Sequence, residues 1–418
     1  MVILVSLTPS GMRAQTVATF VGTVKDSTGG VLPGAAVSAR HVGSKEQRHA
    51  VTNEQGDYRI ALLRVGHYEL RVEAPGFKSA IVPDVEVQLG QTARIDLDLT
   101  VGQVADSVTV TSEAPLVRSE TVSLGEVMDN RKILELPLNN RDFLQLATLT
   151  PGVTRGRTRS TGVVEVSGGR RGHNNFRMDG IDNTDQMYNG LTAVPPIDAI
   201  EEFQVVRNLY DAEYGRASGG VVDVKLRSGT NAFHGSVYEF HRNSVLDARN
   251  FFSPTRAPFR FHQYGAALGG PIRKERTFFF FNYEGFREAK GTTLVLNVPS
   301  ALERNGDFSS SAQKPVNPFT GEAFPGHQIP RNLWNPVGQN LTSLLPIANS
   351  ADPVRNYVTN PLQTRNWDTY MARMDERISD RQSLSFSMVM GFRDALNPSI
   401  NKYAAIVNRD NGYAFAVN

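Results

Sequence analysis

The feature that most limits how this chain can fold is a pair of alternating runs late in the sequence. In residues 382–393, "QSLSFSMVMGFR", Leu384, Phe386, Met388, Met390 and Phe392 take every second position. Ser383, Ser385, Ser387 and Gly391 fill the positions between, with Val389 the one exception. Successive side chains of a strand point to opposite faces, so this run predicts a strand with one apolar face and one small, polar face. Residues 367–378 precede it across the tight turn "SDR", and the two runs predict a hairpin. Apolar-out, small-polar-in alternation suits a barrel wall around a wet interior, although a soluble sandwich alternates in a similar way. No stretch approaches the roughly 20 apolar residues of a membrane helix, so any membrane contact must be made by β-structure.

Composition narrows the function classes. The 418 residues suffice for about three domains. Lys+Arg 44 against Asp+Glu 42 leaves a net charge of +2, which argues against a nucleic-acid binder with its basic stripe. Cysteine is absent, which excludes a disulfide scaffold, a thiolate zinc site and a cysteine nucleophile. The first fifteen residues, "MVILVSLTPSGMRAQ", read either as the tail of a truncated secretory signal or as a disordered terminus.

Residues 16–100 read as a β-sandwich. Tyr68, Leu70 and Val72 alternate with Glu69, Arg71 and Glu73, and Ile95, Leu97 and Leu99 with Arg94, Asp96 and Asp98. Turn signals recur at "DSTGG", "NEQGD", "RVG" and "APG". The order of these segments, with Gly56-Asp57-Tyr58 and Gly66-His67-Tyr68, resembles the carboxypeptidase regulatory-like domain, a transthyretin-type sandwich. A zinc peptidase is not implied: no histidine begins a His-x-x-Glu and no His-Glu-x-x-His occurs. A G-x-S-x-G elbow is also missing, so the chain reads as a non-enzyme with no cofactor and no metal.

The linker 101–115 contains Val108-Thr109-Val110-Thr111, which is either one more edge strand or a peptide left unpaired until a partner adds it to a sheet. Within 124–153, Asn140 is a candidate N-cap for a short amphipathic helix through Phe143, Leu144, Leu146 and Ala147, stopped by Pro151-Gly152. Asp179-Gly180 is a turn dipeptide. Asp179, Asp182 and Asp185 lie three apart, but the glycine follows the first aspartate, so turn chemistry is favoured over a calcium loop. Residues 200–230 predict two short strands with Gly219-Gly220 between them: Phe203 and Val205 oppose Glu202, Gln204 and Val206, and Val222, Val224 and Leu226 oppose Asp223 and Lys225. So few apolar residues bury little surface alone, and the unit must lean on neighbours.

"NNFRMDGIDN", "IEEFQVV" followed by Tyr-Gly and Gly-Gly-Val-Val, and "LPLNNRDFLQLATLTPGV" together resemble TonB-dependent outer-membrane receptors of the Oar-like branch. The resemblance implies a mostly β chain: sandwich, plug over 116–230, and the first strands of an incomplete transmembrane barrel over 231–418. It also implies a TonB box at Val108, Thr109, Val110 and Thr111, a TonB-type energy-coupling partner, and ligand-facing plug residues among Asn174, Asn175, Arg177, Asp182 and Tyr188. Outer-membrane lipid and an unidentified ligand complete the implied partners, with the sandwich in the periplasm. A long Pro/Gly/Asn-rich loop is expected near 294–365. Large plugged transporters have about 22 strands, and only five or six fit after residue 231, so the chain reads as the N-terminal part of a longer receptor. The competing reading is a surface adhesin or structural β protein without transport.

Overall fold

The computed structural model describes residues 18–102, 107–109, 124–138, 141–155, 164–169, 172–185, 190–207, 217–249, 256–352, 354–379, 382–397 and 406–417. These residues form a mostly β protein in three packed bodies.

The first is a sandwich of β1 (Ala18–Asp26), β2 (Ala36–His41), β3 (Gln47–Val51), β4 (Asp57–Leu63), β5 (Gly66–Glu73), β6 (Ser79–Val87), β7 (Thr92–Arg94), β8 (Leu97–Leu99) and β9 (Ser107–Thr109). One sheet runs β3-β2-β5-β6-β9, and the other is built on β1, which pairs with β4, β7 and β8. Tyr68, Leu70, Val72, Ile95, Leu97 and Leu99 are all buried between them, as the alternation predicts. The expected single strand over 94–99 is instead broken at Ile95-Asp96, where the Ile95 carbonyl turns against Gly22 of β1 and the Asp96 carboxylate accepts from Thr23 N at 2.8 Å. A Cβ on Gly22 would lie 1.9 Å from the Ile95 carbonyl oxygen, so only glycine permits this close approach. The Tyr58 hydroxyl donates to that same oxygen at 2.8 Å.

The second body holds β10 (Leu124–Asp129), α1 (Asn130–Glu135), α2 (Leu144–Ala147), β11 (Val153–Arg155), β12 (Val164–Val166), β13 (Asn175–Met178), β14 (Ile181–Asp182), β15 (Ile200–Arg207) and β16 (Gly220–Leu226). Its main sheet runs β10-β15-β16-β13-β14. The short helix expected after Asn140, a residue outside the described set, is present as α2, and a second helix, α1, precedes it. Asp129 caps α1 by accepting from Lys132 N at 2.8 Å, and Leu136 turns extended before Pro137, as residues preceding proline do. A separate four-residue α2 follows, with Leu144, Leu146 and Ala147 buried.

β15 and β16 also differ from expectation, since both of their faces are buried. Phe203, Val205, Val222, Val224 and Leu226 pack into a core with Phe143 of the α2 region and with the third body. The opposite face, with Glu202 and Gln204, is covered by the sandwich: Leu89 N donates to Glu202, and Gly90 lies against the Gln204 amide.

The third body is an open antiparallel wall of β17 (His234–Asn243), β18 (Phe259–Arg273), β19 (Thr277–Gly291), β22 (Leu362–Arg377), β23 (Ser383–Asn397) and β24 (Ile406–Val417), paired in that order. Between β19 and β22 lie β20 (Leu294–Leu296), α3 (Ala301–Arg304), α4 (Pro336–Leu344) and β21 (Tyr357–Thr359). The predicted hairpin is present, with Arg377 opposite Ser383 and Thr364 opposite Leu396. Leu384, Phe386 and Phe392 face outward with Phe281, Tyr413 and Phe415 of neighbouring strands, an exposed apolar face. Tyr283, Tyr370, Met390 and Tyr413 form one outward row across four strands, the position of an aromatic girdle.

The inward face is dry where the second body packs on it. Ser385, Ser387, Met371, Val389, Ala414 and Ala416 are buried against the second body. The serines and alanines among them are small enough to let that body sit close to the wall. The aromatics of β19 divide between the faces: Phe278, Phe280 and Phe286 are buried inward, whereas Phe281 is exposed. The segment expected as a long loop instead folds into a small module. A capping box joins Ser300 and Glu303 on α3, and Asn335 caps α4.

Candidate functional site

The second body, seated in the concave wall, is held there by two ion-pair clusters. The first forms around Asp179, and local geometry explains its position. Asp179 and Gly180 have φ of 48° and 81°, the backbone of a type I′ turn joining β13 to β14. The turn carries the Asp179 carboxylate to the end of the sheet, where it is buried at 2% exposure. It accepts from Arg373 Nη1 on β22 at 3.0 Å to each oxygen, and from Ser387 Oγ on β23 at 2.7 Å. Lys225 Nζ lies 3.1 Å away, and Leu226 N donates at 3.2 Å. Burial by itself would raise the Asp179 pKa, but Arg373 and Lys225 overcome it and hold the carboxyl below its usual range.

The cluster extends into the sandwich. Arg373 donates from Nε and Nη2 to the two oxygens of Asp375 at 2.9 and 3.0 Å. Asp375 also accepts from Ser228 Oγ at 2.7 Å and pairs with Arg64 Nη1 at 3.2 Å. Arg64 in turn pairs with Glu46 at 3.3 Å. The order Glu46, Arg64, Asp375, Arg373, Asp179, Lys225 alternates in sign and crosses all three bodies. With every buried charge paired and hydrogen-bonded, the usual penalty of desolvation is offset.

The second cluster reverses the polarity. Arg141, held at a φ of 52°, extends from the second body to the wall. It bonds Asp198 within its own body and lies 3.5 Å from Glu284 of β19. Its guanidinium sits over the rings of Tyr238 at 4.2 Å and Phe240 at 5.0 Å, and Tyr238 donates to Glu284 at 2.7 Å. Across the contact itself, the Asp179–Arg373 pair therefore has its cation on the wall and the Arg141–Glu284 pair has its cation on the inserted body. Together they fix orientation as well as position.

The segment expected to pair with a coupling partner is in part already paired. Ser79, Ala80 and Ile81 of β6 run parallel to Ser107, Val108 and Thr109, which makes β9 an edge strand of the sandwich. Val110 and Thr111 lie outside the described residues. Where the sandwich meets β15, Glu202 is buried and its carboxyl is pushed up to about 8, chiefly by burial and also by Glu201 and Glu86, against the opposing bond from Leu89 N.

The candidate ligand-facing residues are dispersed. Asn174 is buried and its amide bonds backbone, donating to Val164 O and accepting from Gly220 N at 3.2 Å. Asn175 is buried, with its amide 3.5 Å from Asp182. Arg177 donates to Gly180 O at 2.9 Å. Asp182 is exposed and accepts from Thr184 N at 2.9 Å. Tyr188 lies outside the described residues. Asp185, by contrast, lines a cavity of about 550 Å³ between the inserted body and the wall, with Thr369, Gly391, Arg393, Asp410 and Gly412. Sequence reasoning missed this cavity, and it missed Arg373 and Asp375 as well. The available signal was two opposite charges two residues apart, at 373 and 375, on the same strand parity as the apolar Met371.

Comparison with known proteins follows the same division of the chain. Residues 19–100 match the carboxypeptidase regulatory-like domain, and residues 225–416 match the outer membrane beta barrel domain. The TonB-dependent transporter Oar of Myxococcus xanthus is 27% identical over 328 residues, which cover 74% of this chain and 30% of that protein. The chain thus spans about a third of the length of this curated relative. Among solved structures, the outer membrane transporter YddB of Escherichia coli aligns over 70% of this chain and 36% of its own, at 13% identity and a TM-score of 0.45. A mutant of the ferric enterobactin receptor PfeA of Pseudomonas aeruginosa aligns over 66% and 34%, at 14% identity and a TM-score of 0.36. By sequence and domain content, the chain is similar to the TonB-dependent transporter Oar, with a match to the carboxypeptidase regulatory-like domain ahead of a match to the outer membrane beta barrel domain.

Proposed function

We propose that this protein is an outer-membrane receptor for active uptake of a ligand, energised by a periplasmic TonB-type protein that pairs with residues 107–112. The observation that carries the reading is a compact sheet seated in a concave, outwardly apolar wall and held by the Asp179–Arg373 and Arg141–Glu284 pairs. Such a body closes a passage and is still removable, because side-chain pairs and packing hold it to the wall. The homology to a TonB-dependent transporter supports the same assignment.

The wall strands are joined by short turns at 274–276 and 378–382 on one side and by long segments at 244–258 and 292–361 on the other. In outer-membrane barrels short turns face the periplasm and long loops face outward. Arg64 meets Asp375 beside the short turns, so the sandwich belongs on the periplasmic side, where a TonB-type partner would reach β9. Of the candidate ligand-facing residues, Arg177 and Asp182 flank the Asp179-Gly180 turn, which Arg373 holds near the short-turn side, so the cavity lined by Asp185, Thr369 and Gly391, farther toward the long segments, is the better place for a ligand. No covalent chemistry is required, since the work is supplied from outside the protein.

The test is deletion of residues 107–112 from the intact protein. Co-purification of the periplasmic domain of TonB with the receptor in detergent should be lost while the barrel still inserts. If TonB is retained equally, or if cells keep a receptor-dependent adhesion and show no TonB-dependent phenotype, the adhesin reading replaces this one.

A further inference from the structure

Strands β19 and β22 pair along their lengths, so residues 292–361 emerge between them as one module at the long-segment rim of the wall. Between α3 and α4 of this module is a cleft of about 520 Å³, a size common for small-molecule sites. Its apolar side is formed by Trp334, Phe308 and Ile329. Trp334 is fixed before any ligand arrives. Its indole Nε1 donates to Ile329 O at 2.9 Å, and its ring packs so close to Gly306 that a Cβ there would lie 2.7 Å away.

The cleft's frame is equally fixed, and its charges are engaged. Arg304 donates to the carbonyls of Pro299 at 3.1 Å, Thr342 at 2.9 Å and Leu345 at 3.2 Å, which ties α3 to the last turn of α4. Glu303 accepts from Ser300 N at 2.8 Å and from the Ser311 hydroxyl. Neither side chain is available to pair with an ionic ligand. The Arg331 guanidinium, 5.9 Å from the Trp334 ring centroid, lies outside the lining. The polar groups left at the rim are neutral. The Gln339 side-chain amide and the Asn335 amide nitrogen make no hydrogen bond among the described residues, while Asn335 Oδ1 caps α4.

A pre-oriented aromatic plane, neutral amides beside it and no unpaired charge in the lining define the chemistry of the occupant. It needs an apolar face, a rim of hydroxyls and no net charge. We propose that this cleft binds a neutral saccharide, with a sugar ring on Trp334 and its hydroxyls bonded by Gln339 and Asn335. The site lies apart from the contact between plug and wall, and its test reads binding alone, so it stands or falls independently of the uptake reading.

The experiment is isothermal titration of the intact protein in detergent with maltose, cellobiose and lactose, with glucuronic acid and the dipeptide Leu-Phe-amide in parallel. The expected result is saturable binding of at least one disaccharide, weakened about tenfold or more by Trp334→Ala and largely restored in Trp334→Phe. Gly338→Leu guards against misfolding. A Cβ at 338 would meet nothing closer than Asn335 Cβ at 3.9 Å, and leucine is a better helix former than glycine. This variant should keep its thermal unfolding temperature and lose disaccharide binding because its side chain fills the cleft. The proposal is overturned if no disaccharide binds, if glucuronic acid or the dipeptide binds in preference, or if folded Gly338→Leu binds as the parent does.

Discussion

Arg373 on the wall reaches both carboxylate oxygens of Asp179 on the plug at 3.0 Å, and its remaining nitrogens fork onto Asp375. A single guanidinium thus joins two buried carboxylates from different bodies, a geometry that lysine, with its compact point charge, cannot reproduce.

Replacing that guanidinium should be severe. Arg373→Met leaves Asp179 with Lys225 alone and Asp375 with the more distant Arg64, and breaking a buried pair in this way costs about 3–5 kcal/mol. Thermal unfolding in detergent should show the loss. The double variant Arg373→Met with Asp375→Asn should recover part of it, because Asp179 then keeps Lys225, Arg64 keeps Glu46, and no carboxylate is stranded. Equal unfolding of the single and double variants would contradict the pairing.

Contact between sandwich and plug should weaken with rising pH. Glu202 has a folded pKa of about 8 against an ordinary value near 4.5, so the folded state holds its proton more tightly than the unfolded state does. Stability from this group is fully present below about pH 4.5 and is lost as pH rises through about 8. Limited proteolysis of the segment between β6 and β7 should accelerate over that interval. Glu202→Gln, whose amide oxygen can still accept from Leu89 N, should flatten the profile; an unchanged slope would remove Glu202 as its source.

The outward face of β23 should behave as lipid-facing surface. Met388→Lys is expected to cost about 2–4 kcal/mol in denaturant titrations of the protein in lipid vesicles, as a cation near a bilayer midplane does. A change near zero would mean that this face meets water.

Gly22→Ala should disrupt the sandwich alone. Its new methyl would overlap the Ile95 carbonyl, and relief requires moving β1 or the segment at Ile95-Asp96. Overpacking of this kind typically costs about 1–3 kcal/mol. Circular dichroism melting should show an early transition for this domain; a melt matching the parent would show that the close approach tolerates a side chain.

How much of this is legible in the sequence depends on which force sets each feature. Alternation governs the sandwich and the wall, because one face of each strand meets a different medium; the 384–392 run and its "SDR" turn are clear cases. The Asp179-Gly180 turn is legible because its backbone requirement is local. β15 and β16 read as two-faced because their polar residues suggest solvent. Glu202, Gln204, Asp223 and Lys225 are buried all the same; Glu202 meets Leu89 and Lys225 meets Asp179, partners far away in sequence that no short window reveals. The module at 292–361 reads as loop on composition, although its capping residues, Ser300 with Glu303 and Asn335 before Pro336, are local helix signals. The function-bearing contacts are the least legible, since Arg373 acquires its meaning only when the fold brings it to Asp179.

The alternating series from Glu46 to Lys225 has a consequence for the order in which the assembly comes apart. Each interior member is shared by two neighbours of opposite sign, so withdrawing one from the middle strands two others, whereas the outermost member leaves only one behind. Glu46 and Arg64 leave together with the sandwich, which breaks only the Arg64–Asp375 link and strands one carboxylate, so dismantling is least costly there and proceeds inward toward Asp179. A force applied to the leading domain would meet these contacts one after another rather than all at once.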